Sequence, residues 1–105
     1  MIMINVAQQF SRYPAGRFVQ DGPYSGEYFR TKFLAPALKA EEKVVVDLDG
    51  ARGYGSSFLE EAFGGLVRLG FLKDVIKKKL EIRATNSSLK LEIDEYIDNA
   101  VPGGL

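Results

Sequence analysis

The chain of 105 residues carries 14 lysines and arginines against 14 aspartates and glutamates, so its formal charge at pH 7 is zero. This balance gives the chain no general attraction to nucleic acid or to an anionic membrane. Cysteine and histidine are both absent, which excludes disulfides, cysteine nucleophiles, Ser-His triads and the usual Cys/His zinc sites. The composition therefore predicts a non-catalytic protein with no metal site and no cofactor.

The length and the hydropathy pattern predict one soluble domain. A chain of this size is expected to form a single domain, which we assign to residues 1–105. The sequence holds no apolar run of the roughly 18 residues that a membrane span needs. Residues 1–6 lack the basic start and the long apolar stretch of a signal peptide. A cytoplasmic location is therefore predicted.

The first forty residues are predicted to form a strand, a loop and a helix. Apolar side chains alternate over residues 2–6, which is typical of a short strand. Residues 11–23 hold two prolines and two glycines and are predicted to form a loop, within which residues 17–20 are a candidate second strand. From Ser25 the apolar side chains recur at helical spacing, and Pro36 is expected to kink that helix or to start a new turn.

A central strand and a well-marked helix follow. Residues 43–48 include three consecutive valines, a pattern that suits a strand covered on both faces. The glycine-rich segment 50–55 ends this strand. Apolar residues then recur at helical spacing over 59–69, and Gly70 closes the helix. Gly64 and Gly65 lie inside this helix, where glycine lowers helix stability. We expect them to let the helix lie close to the sheet.

The last part of the chain predicts one more strand and one more helix. Residues 74–79 suit a short basic turn, and residues 80–84 suit a third main strand. Asn86 and the two serines after it are expected to cap a helix that runs to Ala100. Residues 101–105 are predicted to be a frayed tail.

Alternation of strands and helices is typical of an α/β domain with right-handed crossovers. We predict a small domain with about four strands in a mixed sheet and three main helices. Binding sites in such folds favour the loops at the carboxyl ends of the strands. The best candidate among them is the loop 49–57.

Two acidic residues at the end of the central strand allow enzyme hypotheses. Asp47 and Asp49 have the spacing of the nucleophile motif in haloacid-dehalogenase-type phosphatases, but Ala51 stands where that motif has Thr. A response-regulator receiver with Asp47 as phosphoacceptor would need acidic residues and a lysine where Asn5 and Ala84 stand. A phosphatase that uses Asp47 and Asp49 is therefore retained only as an alternative.

The glycines and serines of the loop have several interpretations. A P-loop needs a lysine that is absent here, and Phe58 stands where a dinucleotide-binding loop has its third glycine. Ser57 and Glu60 have the spacing of a capping box, which would be a purely structural role. A serine at an exposed helix start is also a good phosphoacceptor, because free amides and the helix dipole favour a phosphate there. Both interpretations of Ser57 stay open.

Residues 44–67, which read VVVDLDGARGYGSSFLEEAFGGLV, resemble the core of the STAS-like family. Residues 16–18, 21–26 and 29–30 resemble that family as well. The best-known STAS domains are bacterial anti-anti-sigma factors, in which a histidine-kinase-like ATPase phosphorylates a serine at a helix start. By resemblance Ser57 aligns with that phosphoacceptor. The chain departs from the pattern at Gly55, where those proteins have Asp, and at Phe58, where they have Gly.

The resemblance implies an anti-sigma-factor-antagonist-like signalling switch. Its partner would be a histidine-kinase-like ATPase or another regulator, and phosphorylation of Ser57, or else of Ser56, would control docking. The rival interpretation is an unphosphorylated scaffold that forms a homodimer through the same surface. The residues expected to meet the partner are Asp49, Arg52, Tyr54, Gly55, Phe58, Glu60 and Glu61.

Overall fold

Three short strands pair side by side in the computed structural model, which describes residues 1–40 and 43–103. The strands are β1 (Ile2–Asn5), β2 (Val44–Asp47) and β3 (Leu80–Arg83). They lie in the order β1-β2-β3 and both pairs are parallel. The valine run thus occupies the central strand, and all three of its side chains are buried, as the sequence predicts.

Five helices surround this sheet in the described residues. They are α1 (Val6–Gln9), α2 (26–40), α3 (56–68), α4 (Lys73–Lys79) and α5 (Ser87–Asn99). Two of them, α2 and α3, each contain one π-helical turn in the middle, at Arg30–Leu34 and at Glu60–Gly64. Such wider turns are rare and occur often at functional sites.

The fourth strand of the predicted mixed sheet is not confirmed. The segment proposed for it, residues 17–20, leads into a 3₁₀ turn at Val19–Asp21. One oxygen of the Asp21 carboxylate accepts the amides of Arg17 and Phe18, at 3.2 and 2.8 Å. This local acceptor uses the backbone donors that a strand ladder would need.

Other predicted elements need only smaller corrections. Val6 begins helix α1 rather than ending the first strand, and the predicted basic turn at 74–79 is a full helix that runs directly into β3. Pro36, where a kink or a new turn was expected, lies two residues after the π turn of α2. Residues 101–103 have no regular secondary structure, while the rest of the predicted tail, residues 104–105, lies outside the described residues.

The hydrophobic core lies between the sheet and helices α2, α3 and α5. Ile4, Val46 and Ile82 stand in one row across the three strands and all point into this core. Phe63 of α3 and Ile93 of α5 are fully buried against them. Helix α3 therefore packs in the middle of the helical layer, and its first turn emerges beside the carboxyl end of β2. None of the helices in the described part of the chain combines the length and apolar character that crossing a bilayer requires.

Candidate functional site

The candidate site is the loop 49–57, which connects β2 to α3. Asp47 begins the turn, because its carboxylate accepts the amide of Asp49 at 3.0 Å. Gly50 has a φ of +97°, a conformation that side chains other than glycine rarely adopt. The chain thus turns sharply away from the sheet at the position where parallel α/β folds place their sites.

Asp49 ties this loop to the loop after β3. Its two carboxylate oxygens accept the amide of Thr85 at 2.9 Å and the hydroxyl of Thr85 at 2.8 Å. These two hydrogen bonds, the backbone one first, hold the pKa of Asp49 below its ordinary value. The carboxylate is therefore ionised and held in place. Thr85 was missed by the sequence reasoning, since a contact between residues this far apart in the chain leaves no local pattern.

Tyr54 closes the loop from the other side. Its hydroxyl donates to the carbonyl oxygen of Leu48 at 2.8 Å, and its ring packs against that of Phe58. Burial raises the pKa of Tyr54 well above its ordinary value, and the charges of Asp47 and Asp49 add to this effect. Tyr54 therefore stays a neutral donor, and its position is set by the fold.

The loop forms one wall of a shallow groove of about 430 Å³. The residues that line it come from the loops after β2 and β3 and from the start of α5: Leu48, Asp49, Gly50, Ala51, Gly53, Tyr54, Thr85, Asn86 and Leu89. Arg52 lies outside this lining and is exposed. Its amide donates to the carbonyl of Arg12, and its guanidinium lies 5.9 Å from the centre of the Tyr13 ring, a cation–π geometry.

Helix α3 begins at Ser56, and no side chain of the described residues caps it. The N-cap residue is Gly55, with φ −70° and ψ 151°. Ser56 and Ser57 are thus the first two helical residues, and both are exposed. Neither hydroxyl takes part in a hydrogen bond within residues 1–40 and 43–103. The predicted capping box of Ser57 with Glu60 is therefore wrong.

Glu60 does not reach back to Ser57 because arginines bind its carboxylate. Arg68 donates to its two oxygens at 2.8 and 2.9 Å, and Arg17 donates at 2.6 Å. The hydrogen bonds from Arg68, and then the one from Arg17, lower the pKa of Glu60. The side chain is half-buried, so this carboxylate links α3 to the loop of Arg17 and does not cap the helix start.

Two further residues predicted to meet a partner are inside the protein. Phe58 is 1% exposed and packs against the rings of Phe10 and Phe29. Glu61 is 7% exposed. A partner would have to open the core to touch either side chain, so the surface available for docking consists of the loop and the serine pair.

Glu61 belongs to a buried ion cluster that the sequence reasoning did not identify. Arg30 donates from Nη1 to the carboxylate of Glu61 at 2.7 Å and to its backbone carbonyl at 2.6 Å. Arg17 and Arg68 reach the other carboxylate oxygen at 3.2 and 3.4 Å. The segments that resemble the STAS-like family include Arg17 and Arg30, so a signal for this cluster existed, but nothing in it indicated glutamates as partners.

Replacing Gly55 with aspartate is expected to raise the free energy of unfolding by about 0.5–1 kcal/mol, because the new carboxylate can accept the free amides of the first helical turn. No atom of the described residues lies within 4 Å of a Cβ at Gly55. Urea unfolding measures the gain, with Gly55→Ala as the control that adds a Cβ without an acceptor. The gain should be present at pH 7 and vanish as the pH falls through the lowered pKa of the bound carboxyl. Equal gains in both variants would contradict this prediction.

Together, the fold and the site define a small parallel α/β domain with an exposed serine pair at an uncapped helix start. Residues 25–90 match the family model described as a STAS-like domain of unknown function (DUF4325). The match runs from the start of α2 into α5 and includes the whole candidate site. The chain therefore belongs to this STAS-like family. Neither the curated proteins nor the solved structures gave a match.

Proposed function

We propose that the chain is a non-catalytic interaction module in which the loop 49–57 docks a protein partner and phosphorylation of Ser57 controls the docking. The observation that carries this proposal is the pair of exposed, unbonded serine hydroxyls at the uncapped start of α3. Ser56 is the second candidate for the modification. Membership of the STAS-like family supports an anti-sigma-factor-antagonist-like role, with a histidine-kinase-like ATPase as the partner.

The modification has a simple chemical form. The oxygen of the Ser57 hydroxyl forms a bond to the γ-phosphorus of ATP on the partner, the bond to ADP breaks, and the hydroxyl proton passes to solvent. The start of α3 favours the product, since its first amides have no side-chain acceptor and the positive end of the helix dipole attracts anions. The added charge of nearly −2 changes the surface that the partner meets.

The loop carries features that suit docking rather than catalysis. Both oxygens of Asp49 are engaged by Thr85, and the carboxylate of Asp47 accepts the amide of Asp49. A phosphatase mechanism would need one of these carboxylates free for attack and the other free to exchange protons. The tied geometry favours the interpretation in which the two aspartates shape a rigid loop for a partner.

Protein isolated from its native cell is expected to carry one phosphate in intact-mass analysis while the partner is active, and Ser57→Ala is expected to remove it. Ser87→Ala is the matched control, because Ser87 is also an exposed serine in the first turn of a helix, but that helix is capped by Asn86. This control should keep the phosphate.

One outcome would count against the switch, and another would assign it to the neighbouring serine. If no phosphate appears while the partner is active, the unphosphorylated scaffold replaces it, and sedimentation would then test for the homodimer. If Ser57→Ala keeps the phosphate and Ser56→Ala loses it, the modified residue is Ser56.

A further inference from the structure

Arg17 lies beside Glu60 and Glu61 of α3, and its loop is fixed to the start of α2. The carbonyls of Gly16 and Arg17 accept the amides of Gly26 and Glu27, each at 3.0 Å. Gly26 in turn lies directly against the backbone of α3 at Phe58. The arginine is therefore held at the junction of the two helices.

The guanidinium of Arg17 uses only part of its donor capacity. Its Nη1 donates to one oxygen of Glu60 and one of Glu61. The Nε and Nη2 groups donate to nothing in the described ranges, and the side chain is 32% exposed. The edge formed by Nε and Nη2 is the edge that binds a carboxylate or phosphate through two parallel hydrogen bonds. An anion can thus approach Arg17 from solvent.

Helical spacing predicts that Ser57 lies closer to this arginine than Ser56 does. Ser57 precedes Glu60 by three residues and Glu61 by four, and side chains at these spacings are neighbours about 5–6 Å apart at Cβ. Ser56 has only Glu60 at such a spacing. Since Arg17 bonds to both glutamates, Ser57 is the serine whose side chain shares its surroundings.

Glu60 and Glu61 each have a charged partner other than Arg17. Arg68 donates to both oxygens of Glu60. Arg30 donates to Glu61 at 2.7 Å. If Arg17 turned toward a new anion, each carboxylate would keep a charged partner. Such a move therefore leaves no buried charge unpaired, which would be the main cost of breaking the cluster.

We infer that Arg17 is the phosphate-binding residue of the switch: it donates its Nε–Nη2 edge to a phosphate on Ser57. This inference rests on the proposed function and identifies Ser57, rather than Ser56, as the modified residue. Because Arg17 belongs to the loop that covers the start of α2, the phosphate ties that loop to α3. The phosphorylated and unphosphorylated forms then present different surfaces to the partner.

The experiment uses the full chain with phosphoserine incorporated in place of Ser57 during translation. A titration followed by phosphorus NMR gives the second pKa of the phosphate, ordinarily about 6. A nearby cation lowers it, so Arg17→Gln is expected to raise it by about 0.5–1 relative to the unsubstituted chain. Arg68→Gln is the matched control, because Arg68 contacts the same two glutamates but lies beyond them on α3, away from Ser57. It should leave the value unchanged.

The same measurement decides against the inference if Arg17→Gln leaves the phosphate pKa unchanged, or if Arg68→Gln raises it equally. Phosphoserine in place of Ser56 should show a smaller dependence on Arg17. Arg17→Lys keeps the charge but loses the paired donors, so an intermediate value is expected, and a circular dichroism melt of each variant verifies folding. The phosphate is installed without a kinase, so this result is separate from the intact-mass test of whether the native cell modifies the chain.

Discussion

Replacing Arg30 with alanine is expected to lower the free energy of unfolding by about 3 kcal/mol, because removing one member of a buried ion pair leaves the other charge without its main partner. Arg30 is 8% exposed and Glu61 is 7% exposed. The substitution removes two hydrogen bonds, one to the Glu61 carboxylate and one to its backbone carbonyl. The carbonyl loses its only side-chain donor in the described residues. Urea unfolding followed by circular dichroism measures the change.

The control is the double variant Arg30→Met with Glu61→Leu, which removes both charges and keeps the volume. Buried ion pairs replaced by apolar side chains of similar size often cost little. The double variant should therefore be more stable than Arg30→Ala. The losses in free energy of unfolding of Arg30→Met and Glu61→Leu, measured singly, should not sum to the loss of the double variant. In Arg30→Ala, Arg17 and Arg68 still contact Glu61, at 3.2 and 3.4 Å, and these contacts would reduce the loss in free energy of unfolding. A loss below about 1 kcal/mol for Arg30→Ala would mean that these two arginines replace it.

The buried cluster explains the unusual shape of α3. In its π turn the amide of Gly65 bonds to the carbonyl of Glu60, five residues back. Within this turn Arg30 donates to the backbone carbonyl of Glu61. Gly65 provides the space, since a Cβ there would overlap the Arg30 guanidinium. The widened turn and the glycine thus both serve the entry of one arginine.

Local patterns predict the central strand and the helices well, because valine runs and helical periodicity reflect burial directly. They also place the candidate site, since its position follows from strand order. They fail at Gly64 and Gly65, which we expected to bring α3 close to the sheet. A Cβ at Gly64 would meet the carboxylate of Glu60 and the backbone carbonyl of Tyr96 on α5, and one at Gly65 would meet Arg30. The glycines make room for ion pairs and for the neighbouring helix α5 rather than for strands.

The helix start was mispredicted for a related reason. Ser57 and Glu60 have the spacing of a capping box, but Glu60 bonds with Arg17, which lies 43 residues away in the chain. Contacts at such separation leave no trace in a local motif. The predicted strand at 17–20 failed through the opposite effect, since the nearby Asp21 accepts two of its amides. Both errors arose from hydrogen-bond partners that strand and capping patterns do not include.

Gly26→Ala is expected to destabilise the protein by about 3 kcal/mol, because the added methyl group would overlap atoms of α3. A Cβ at Gly26 would lie 3.1 Å from the amide nitrogen of Ala62 and 3.2 Å from the Cβ of Glu61, and closer still to the carbonyl oxygen of Phe58. Two of these three atoms belong to the backbone of α3, so a side-chain rotation cannot relieve the overlap. The helices α2 and α3 must separate instead.

Gly53→Ala is the matched control for this prediction. In the part of the chain that the structure describes, no atom lies within 4 Å of a Cβ at Gly53, and the φ of Gly53 is not positive. This variant should therefore unfold within about 0.5 kcal/mol of the unsubstituted chain, with any change toward higher stability. Thermal and urea unfolding of the two variants measure the difference, and similar stabilities would show that α2 and α3 can slide apart without cost.

Because the loop of Arg17 is bonded to the amide of Gly26, separating the helices should also move Arg17 away from Ser57. In the chain with phosphoserine 57, Gly26→Ala is therefore expected to raise the phosphate pKa, as Arg17→Gln does, whereas Gly53→Ala should not.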